Sequence, residues 1–368
     1  MAPEHLADGP TPASIPSTMP AFRLVDWQCS PRLVEVPVPE PGAGEVLIRV
    51  AGNGLCHSDV TMAEVPREIG EALGWEMPFT LGHEAAGWVA ALGEGVTSVG
   101  IGDAVALMSS NSCGDCRFCA AGRDSLCESN MVGRGYGRDG GLASYVVASI
   151  DRDVVPLGSL DPTTAGTLTD AGATSYHAVS RVLGRLPRFG NEHPKVAVFG
   201  IGGLGTFTVQ ILVAAGDVEV IAVDPDPAKR ARASELGAIH TLDGVDSGTR
   251  SQLRAIAGPA GVAGIIDIVG TDETIECGIR SLARAGVFAL VGAAGGRLNK
   301  PWFSTLPHEA EIFTFQGSSR SDVEAMVELA ASGHISVDAE LFALSAAAEA
   351  YEKLQQGALR GRAVVIPD

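Results

Sequence analysis

The sequence lacks a long apolar run, a secretory signal and an excess of positive charge. No apolar run approaches the ~18–20 residues that a membrane-spanning helix needs. The amino-terminal residues do not combine a charged segment with a following apolar segment, as a secretory signal does. The formal net charge is −18, which argues against nucleic-acid and anionic-membrane partners. We therefore expect a cytoplasmic protein with reduced thiols and a small-molecule substrate.

The chain also has no repeat of about 20–50 residues and no long low-complexity tract. Its 368 residues are long for a single core and predict two domains, and 46% of them are apolar, which is ample for burial. Residues 1 to about 20 contain five prolines among small and polar residues. This composition predicts a disordered tail.

Four of the seven cysteines are closely spaced, as C-x2-C-x2-C-x7-C. These four are Cys113, Cys116, Cys119 and Cys127. Thiolates at this spacing can converge on one tetrahedral zinc ion. The ferredoxin run places its fourth cysteine after three residues and before proline, and disulfides are not expected without a secretory signal, so structural zinc is favoured over both. Cys56 is a further ligand candidate, whereas Cys29 and Cys277 are interpreted as ordinary core or surface thiols.

Two kinds of pattern divide the chain. Up to about residue 150, short β-rich runs such as 45–50 and 102–107 are bounded by Gly, Pro or Asp, which is typical of a barrel-like β domain. Beyond about residue 165, strand and helix patterns alternate, which predicts a doubly wound parallel sheet. The predicted elements are strands at 195–199, 220–223, 264–269 and 287–291, helices at 206–215 and 228–236, and a final strand at 362–366.

A glycine-rich motif follows the first predicted strand of the alternating region. Gly200, Gly202 and Gly205 form G-x-G-x-x-G, and the motif opens a predicted helix. This context indicates a dinucleotide site, because the glycines allow a tight turn and let the backbone approach a pyrophosphate at the helix N-terminus. Gly203 and Leu204, inside the motif, belong to the same predicted site.

Four elements occur in the order found in one known family. They are GLCHSD at 54–59, GHEAAG at 82–87, the four closely spaced cysteines, and GIGGLG at 200–205. Residues 82–96 also follow the zinc signature G-H-E-x2-G-x5-G-x2-V. Over about residues 21–368, the chain resembles the zinc-dependent alcohol dehydrogenases of the medium-chain dehydrogenase/reductase superfamily.

The resemblance implies an α/β fold with two domains. A GroES-like β-barrel catalytic domain is expected at residues 21–171, with a structural-zinc lobe at 111–128. A Rossmann NAD-binding domain is expected at 172–316, and 317–368 should return to the catalytic domain. Since members of the family are dimers or tetramers, a homo-oligomer is expected.

The resemblance also implies a second, catalytic zinc ion. Cys56 and His83 match the first two ligands of the family, and Asp170 stands at the third, where the family has Cys or Asp. The alternative role of Asp170 is a helix N-cap. Glu84 matches an acid that lies behind the metal and can approach it, or else forms a structural salt bridge. Asp59 matches the carboxylate that orients the ligand histidine.

Ser58 is the predicted start of a proton relay. Oxidation of an alcohol requires loss of its proton, and a hydroxyl beside the metal can pass that proton towards solvent. Many relatives complete the relay with a histidine three residues later, where this chain has Thr61. His57 or water could serve instead, and His57 could equally contact the cofactor. Trp75 either faces the substrate or is an ordinary core or surface residue.

The remaining cofactor predictions rest on position. Asp224 follows the second strand of the alternating region; its carboxylate can accept hydrogen bonds from both ribose hydroxyls and would repel a 2′-phosphate, which favours NAD over NADP. Helix capping is its alternative role. Lys229 matches a ribose-contacting lysine of the family, or is simply a solvated lysine. Arg362 matches a pyrophosphate-contacting arginine, or is a surface charge. Thr174 matches a threonine against the nicotinamide, or is an ordinary helical threonine. Val269, the last residue of a predicted strand, is included in the site.

Together these features predict an oxidoreductase with two zinc ions per chain and NAD, which interconverts an alcohol with its ketone or aldehyde by hydride transfer. The serine at the relay position and the Asp third ligand resemble members that act on secondary or aryl alcohols. A polyol or biosynthetic-intermediate dehydrogenase on the same scaffold is an alternative. An alternative of another class is a zinc- and NAD-binding protein without turnover, which would have no need of Ser58.

Overall fold

A computed structural model describes residues 14–129, 131–187, 193–299 and 301–368. The chain divides into two compact units. Unit 1 comprises the residues up to Ala173 together with Gly317–Asp368, and unit 2 comprises Thr174–Gln316. The boundaries predicted from the sequence lie after residues 171 and 316.

The first part of unit 1 is built mainly from strands. They are β1 (Thr18–Leu24), β2 (Arg32–Pro37), β3 (Glu45–Gly54), β4 (Phe79–Thr80), β5 (Glu84–Leu92), β6 (Ala104–Leu107), β7 (Gly133–Arg134), β8 (Gly137–Arg138), β9 (Tyr145–Ser149) and β10 (Val154–Pro156). The helices are α1 (His57–Glu64), α2 (Arg67–Ala72), α3 (Arg117–Ala120), α4 (Pro162–Ala165) and α5 (Ala171–Leu183), the last of which runs across the unit boundary.

Unit 2 alternates strands and helices. Its elements are β11 (Lys195–Phe199), α6 (Gly203–Ala215), β12 (Glu219–Val223), α7 (Pro227–Glu235), β13 (His240–Leu242), α8 (Thr249–Ala257), β14 (Val262–Asp267), α9 (Asp272–Ser281), β15 (Leu282–Leu290), α10 (Trp302–Thr305) and β16 (Glu311–Thr314). The chain then returns to unit 1 with α11 (Arg320–Ala331), β17 (Ala339–Ala343), α12 (Ala347–Gln355) and β18 (Arg362–Ile366).

The sequence predicts a disordered tail at residues 1 to about 20, and the structure describes only the end of this segment. Residues 1–13 lie outside the described part of the chain. The prediction is wrong for Thr18–Pro20, because these residues begin β1 and pair with β2. Met19 is buried in a small cluster with Leu47 and Tyr145. Burial of Met19 and pairing with β2 stabilise this part of the strand.

The main sheet of unit 1 has the order β10-β6-β5-β3-β18-β17, and β9 also pairs with β3. The returning strand β18 lies inside this sheet, parallel to β17 and antiparallel to β3. Alternate residues of β3 face opposite sides, as a strand requires: Val46 and Ile48 belong to one buried cluster and Leu47 to another. Residues far apart in sequence are thereby fixed around one sheet.

In unit 2, the strands that the structure describes form a parallel sheet in the order β13-β12-β11-β14-β15-β16. This confirms the predicted doubly wound parallel sheet. The central strands are apolar and buried on both faces, as Val198 and Ile266 illustrate. Because all strands run the same way, the loops that follow β11, β12 and β14 gather at one edge of the sheet.

Strand β14 is displaced from its predicted position. It spans Val262–Asp267 rather than 264–269. The reason is the Asp267 carboxylate, which accepts hydrogen bonds from the backbone N–H groups of Val269 and Gly270, each at 2.9 Å. This local turn ends the strand although the sequence remains apolar.

No helix in the described part of the chain has the length and apolar character needed to cross a membrane.

Candidate active site and cofactor site

The four closely spaced cysteines come together in one loop of unit 1. Their sulfur atoms all lie within 4.8 Å of one another, and all four residues are free thiols. Helix α3 contributes to this arrangement, since Cys116 is its N-cap and Cys119 lies within it. A short helical turn then brings in Cys127.

The geometry of this cluster fits a tetrahedral zinc ion. Two thiolates with Zn–S bonds of about 2.3 Å lie about 3.8 Å apart in such a site, and the Cys113 and Cys119 sulfurs are 3.9 Å apart. Backbone N–H groups also point at the sulfur atoms. The Cys127 sulfur accepts from Cys113 at 3.2 Å and from Ser129 at 3.4 Å.

A second cluster forms where β3 and β5 lie side by side. Gly54, the last residue of β3, pairs with Glu84, the first residue of β5. This register places the residues just after β3 next to those just before β5. Cys56, the N-cap of α1, and His83 are therefore neighbours, and Asp170, directly before α5, joins them with all three ligand atoms within 4.8 Å.

His83 is held between two carboxylates. Its Nδ1 atom is 3.1 Å from Asp59 Oδ1, and its Nε2 atom is 3.6 Å from Asp170 Oδ2. Burial lowers the pKa of the His83 imidazole, but Asp59 and Asp170 raise it, and the balance is a pKa well above the usual range. The Nδ1 contact with Asp59 turns Nε2 towards Cys56 and Asp170, so Nε2 is the atom available to a metal.

This trio also fits zinc. Cys, His and Asp are each zinc ligands, and three protein ligands leave a fourth position for substrate. Several negative groups surround the point on which the three side chains converge, and a metal cation would neutralise them. The side chain of Asp170 is 19% exposed, whereas that of His83 is 6% exposed, so Asp170 is the more accessible of the two.

Asp59 is fixed by hydrogen bonds of its own. Its Oδ2 atom accepts from the backbone N–H of Cys56 at 3.1 Å and from the hydroxyl of Tyr351 at 2.9 Å. Asp170 receives a similar contact from the Ser109 hydroxyl at 3.3 Å. Neither Tyr351 nor Ser109 was predicted. Each lies more than fifty residues from its partner, in a segment without a recognisable motif, so no sequence signal could have indicated them.

The three candidates for the proton relay occupy different positions in the structure. The Ser58 hydroxyl lies 3.4 Å from His83 Nε2, on the side where the three ligand atoms converge. Thr61 is exposed, and its hydroxyl faces the His57 carbonyl of its own helix at 3.5 Å. His57 is the exposed first residue of α1. Of these three side chains, only Ser58 is beside the metal-ligand cluster.

Glu84 and Arg362 form a fully buried ion pair. Burial raises the pKa of the Glu84 carboxyl to about 7, against the opposing effect of the Arg362 guanidinium. The same nitrogen of Arg362 also donates to the Leu55 carbonyl at 2.9 Å. The structure thus gives Glu84 the salt bridge that was its alternative role. Arg362 is buried rather than a surface charge, and its predicted contact with the pyrophosphate stays a prediction.

Trp75 lies in the core of unit 1 and does not face solvent. It is 7% exposed, packs edge-on against Phe79 and donates from its indole nitrogen to the Met131 carbonyl at 2.7 Å. Of the positions considered for Trp75, the structure supports the core.

The glycine-rich loop of unit 2 uses each glycine differently. Gly200 has φ of +87°, and a side chain there would also strike Val269. A side chain on Gly205 would meet the Gly200 carbonyl at 2.0 Å. A side chain on Gly202 would meet no atom within 4 Å, so the space above this residue is open. Gly202 is the N-cap of α6 and provides no side-chain cap, which leaves the first N–H groups of the helix for an anion.

Asp224 is directly after β12, next to this loop. Its Oδ2 atom accepts from the backbone N–H of Ile201 at 2.7 Å, and its Oδ1 atom accepts from that of Asp226 at 2.9 Å. The helix α7 is capped by Asp226 rather than by Asp224, so the capping alternative does not hold. Each carboxylate oxygen retains a lone pair for a ribose hydroxyl. Arg230, which was not predicted, donates to the Asp224 carbonyl at 2.7 Å and holds the turn.

The other predicted cofactor residues occupy varied positions in unit 2. Lys229 is a half-buried residue in the first turn of α7. Thr174 is half-buried in the first turn of α5. Val269 lies at the same edge of the sheet as Gly200. Gly203 and Leu204 are the first residues of α6.

Two family profiles match the chain. The one described as alcohol dehydrogenase GroES-like domain matches residues 42–159, and the one described as zinc-binding dehydrogenase matches residues 203–332. These matches and the geometry above define a zinc-binding dehydrogenase with a GroES-like domain.

Individual relatives narrow this class. D-arabinose 1-dehydrogenase (NADP(+)) of Saccharolobus solfataricus is 32% identical, and the alignment covers 90% of this chain and 93% of the relative. The alcohol dehydrogenase of Aeropyrum pernix is similar in structure, with a TM-score of 0.84, 31% identity and coverage of 95% and 100%. The acetophenone reductase of Geotrichum candidum, solved in complex with NAD, has a TM-score of 0.81, 26% identity and coverage of 96% and 98%. The chain belongs to the zinc-type alcohol dehydrogenases of the medium-chain dehydrogenase/reductase superfamily, as its motifs predicted.

Proposed function

We propose that this protein is an NAD-dependent, zinc-dependent dehydrogenase that interconverts a secondary or aryl alcohol with its carbonyl compound. The observation that carries the proposal is the convergence of Cys56, His83 and Asp170 with the Ser58 hydroxyl beside them. A zinc ion bound by these three residues acts as a Lewis acid that lowers the pKa of an alcohol. A protein that only binds zinc and NAD has no need of the hydroxyl.

The side chains around the metal-ligand cluster have different proposed roles. Asp59, itself held by Tyr351, fixes the direction of the His83 ring. Ser58 is in position to take the proton of the substrate hydroxyl and to pass it outward. Arg362 balances the buried charge of Glu84 behind the cluster. We propose that the outer end of the relay is water, because the Thr61 hydroxyl is turned to its own helix.

The cofactor site supports NAD over NADP. The Asp224 carboxylate is anchored by two backbone N–H groups, so it cannot turn away from an incoming ribose without breaking both bonds. A 2′-phosphate would meet this fixed negative charge. Lys229 and Thr174 are assigned to the same cofactor, the first at the ribose and the second at the nicotinamide.

We further propose that one unit binds the zinc ions and the other binds the cofactor. Residues 21–171 and 317–368 would hold both zinc ions, with the structural ion in the loop at 111–128. Residues 172–316 would hold NAD. A homodimer or homotetramer stays the expected assembly.

The substrate class is the most specific part of the proposal. The acetophenone reductase has an aryl ketone in its name, which supports an aryl or secondary alcohol here. The D-arabinose dehydrogenase supports the alternative of a sugar or polyol. Zinc-loaded protein should be assayed by NADH absorbance with 1-phenylethanol, 2-butanol, a primary alcohol, sorbitol and D-arabinose.

We expect the highest kcat/KM with 1-phenylethanol or 2-butanol. The highest value with sorbitol or D-arabinose would replace the substrate class but keep the reaction. The Ser58→Ala variant serves as the internal test, and Thr61→Ala is its matched control on the same helix. Activity that is absent with every substrate, or equal in wild type and Ser58→Ala, would contradict the proposed mechanism.

A further inference from the structure

The two carboxylate oxygens of Asp170 have different neighbours. The Oδ2 atom lies 3.6 Å from His83 Nε2, whereas the Oδ1 atom lies 3.3 Å from the Ser109 hydroxyl. In a tetrahedral zinc site, two ligand atoms with bonds of about 2.1 Å are about 3.4 Å apart. The Oδ2 atom is therefore close to the separation from Nε2 that two ligands of one ion have, and Oδ1 is the oxygen that faces a protein donor.

The Ser109 hydroxyl is a buried donor with two acceptors within reach. Ser109 is 4% exposed and lies two residues after the end of β6. Its hydroxyl is 3.4 Å from the Thr169 carbonyl oxygen and 3.3 Å from Asp170 Oδ1. A hydroxyl has one proton to donate, and a hydrogen bond to a charged acceptor is about twice as strong as one to a neutral acceptor. The Asp170 carboxylate is therefore the preferred acceptor.

The backbone that carries Ser109 is held by Tyr136. The Tyr136 hydroxyl donates to the Ser109 carbonyl at 3.0 Å and accepts from the Asn111 N–H at 3.3 Å. The ring of Tyr136 stands edge-on to the His83 ring, with centroids 6.3 Å apart. A side chain on Gly133 would meet the Tyr136 ring at 2.2 Å, so this ring position requires glycine there. One aromatic side chain thus contacts a proposed ligand and fixes the donor to another.

The bond to Ser109 limits how Asp170 can bind a metal ion. A carboxylate can bind through one oxygen or through both. With Cys56 and His83 as the other ligands, a second bond from Asp170 would fill the fourth position, which the substrate needs. The Oδ1 atom would have to lose its donor in order to turn to the ion, and loss of a buried hydrogen bond is unfavourable.

We infer that Ser109 is a positioning residue that makes Asp170 a zinc ligand through Oδ2 alone, and that Tyr136 holds Ser109 in place. This role rests on the proposed function, since it requires Asp170 to be a ligand. It applies to a carboxylate, which has two oxygens to choose between. A thiolate has a single donor atom, so the Ser109 hydroxyl should matter in wild type and should matter little in Asp170→Cys.

The zinc affinity of the full-length, zinc-loaded protein tests this role. Competition with a chelator, followed by elemental analysis, measures the affinity, and Asp170→Ala shows which ion belongs to the catalytic site. Ser109→Ala should weaken binding of that ion by about tenfold or more, and Ser109→Thr, which keeps a hydroxyl, should restore it. Tyr136→Phe should weaken binding to a smaller extent, because only the support of Ser109 is lost. Ser281→Ala removes a buried hydroxyl from α9 of unit 2 and is the matched control.

Repeating Ser109→Ala in the Asp170→Cys background separates positioning from packing. The substitution should change zinc affinity little there, so that the two changes are not additive. An equal loss in both backgrounds would overturn the inference, as would wild-type affinity in Ser109→Ala or an equal loss in Ser281→Ala. If Asp170→Cys does not hold the ion, the comparison of Ser109→Thr with Ser109→Ala decides, and failure of Ser109→Thr to restore binding is then the contradicting result.

Circular dichroism checks the fold of each variant. If Ser109→Ala does not fold, Tyr136→Phe takes its place in both backgrounds, with the same outcomes for and against. The Asp170→Ala protein distinguishes failure of this role from failure of the proposed function. If Asp170→Ala keeps both ions, Asp170 is not a ligand and both are wrong. If Asp170→Ala loses one ion while Ser109→Ala binds that ion as tightly as wild type does, only the positioning role is wrong.

Discussion

The Tyr351 hydroxyl donates a hydrogen bond of 2.9 Å to Asp59, the carboxylate that faces the His83 ring. The two residues are 292 positions apart in the sequence. Burial and the Asp59 carboxylate raise the pKa of Tyr351 well above its usual range, so the hydroxyl keeps its proton and stays a donor. The returning segment of unit 1 therefore contributes to the orientation of a predicted metal ligand.

Tyr351→Phe tests this contribution. Loss of the donor leaves Asp59 less firmly fixed, and the affinity of the catalytic site for zinc should fall by about tenfold. Competition with a chelator measures this affinity. Tyr145→Phe, in a different buried cluster of the same unit, is the control. Equal zinc affinity in all three proteins would show that Tyr351 only packs.

Asp170→Ala should remove the catalytic zinc and leave the other. The variant lacks one of the three side chains that converge at the site, and two ligands hold zinc far more weakly than three. Elemental analysis should change from two zinc ions per chain to one, with loss of activity. Asp161→Ala removes the N-cap of α4 and should keep both ions. If Asp170→Ala retains two ions and near-normal kcat, Asp170 is not a ligand.

Cys116→Ser should have the complementary effect. The four proposed ligands all come from one short loop, so loss of its zinc should lower the thermal midpoint of unfolding while the catalytic zinc remains. Cys29→Ser changes a thiol that only donates to the Asp26 carbonyl and is the control. A metal ratio that does not differ between these two variants would contradict a structural zinc site.

Asp224 should set the preference for NAD. In wild type, kcat/KM with NAD should exceed that with NADP by ~10²-fold, because of charge repulsion and lost hydrogen bonds. Asp224→Asn keeps an acceptor for the Ile201 N–H but removes the charge, so the ratio should fall towards about tenfold. Asp226→Asn, two residues along, should leave the ratio unchanged because Asn caps a helix as well as Asp does. Equal use of both cofactors by wild type would refute the assignment.

The buried pair Arg134–Asp153 should stabilise unit 1 in a pH-dependent way. Arg134 is 1% exposed and donates to Asp153 at 2.7 Å. Burial raises the pKa of the Asp153 carboxyl, but Arg134 and Arg138 outweigh this effect and hold the pKa below its usual range. The stabilisation is therefore complete above about pH 4, near the unfolded pKa, and is lost as the pH falls through the lower folded pKa.

Asp153→Asn should thus cost about 3–5 kcal/mol in the free energy of unfolding at neutral pH. The difference from wild type should narrow below pH about 4, as the wild-type carboxyl takes up a proton. Denaturant titrations at several pH values measure it. Asp139→Asn removes the charge from a pair with Arg23 in which the Asp139 side chain is 59% exposed, so it should cost at most about 1 kcal/mol. A cost for Asp153→Asn that is the same at every pH would argue against the charged pair.

The sequence indicated those features that depend on close spacing. The four cysteines and the glycine-rich loop are each contained in a short segment, and their geometry is local. Contacts that depend on the sheet register could not be predicted from the sequence, as those of Tyr351 and Ser109 show. Arg362 could be matched by position, but its pairing with Glu84 follows from the insertion of β18 beside β3, which no local pattern encodes.

Element boundaries illustrate the same limit. Strand β11 and strand β18 begin and end where the sequence predicts, because their β-branched residues stop at polar or turn-forming ones. Helix α6 begins at Gly203, ahead of its predicted start at residue 206. Glycine has a poor helix propensity, which is why the sequence predicted a later start. The close approach of Gly205 to the Gly200 carbonyl is compatible with glycine alone and lets the helix begin earlier.

The interior position of β18 has a consequence for how the protein is made. Unit 2 is continuous in the chain, whereas the main sheet of unit 1 needs residues 362–366 between β17 and β3. A ribosome therefore releases all of unit 2 before the strand that completes unit 1. Until then Glu84 has no Arg362 and Asp59 has no Tyr351. Until β18 is made, Asn53 and Gly54 at the end of β3 lack the backbone partners that Val365 and Val364 provide.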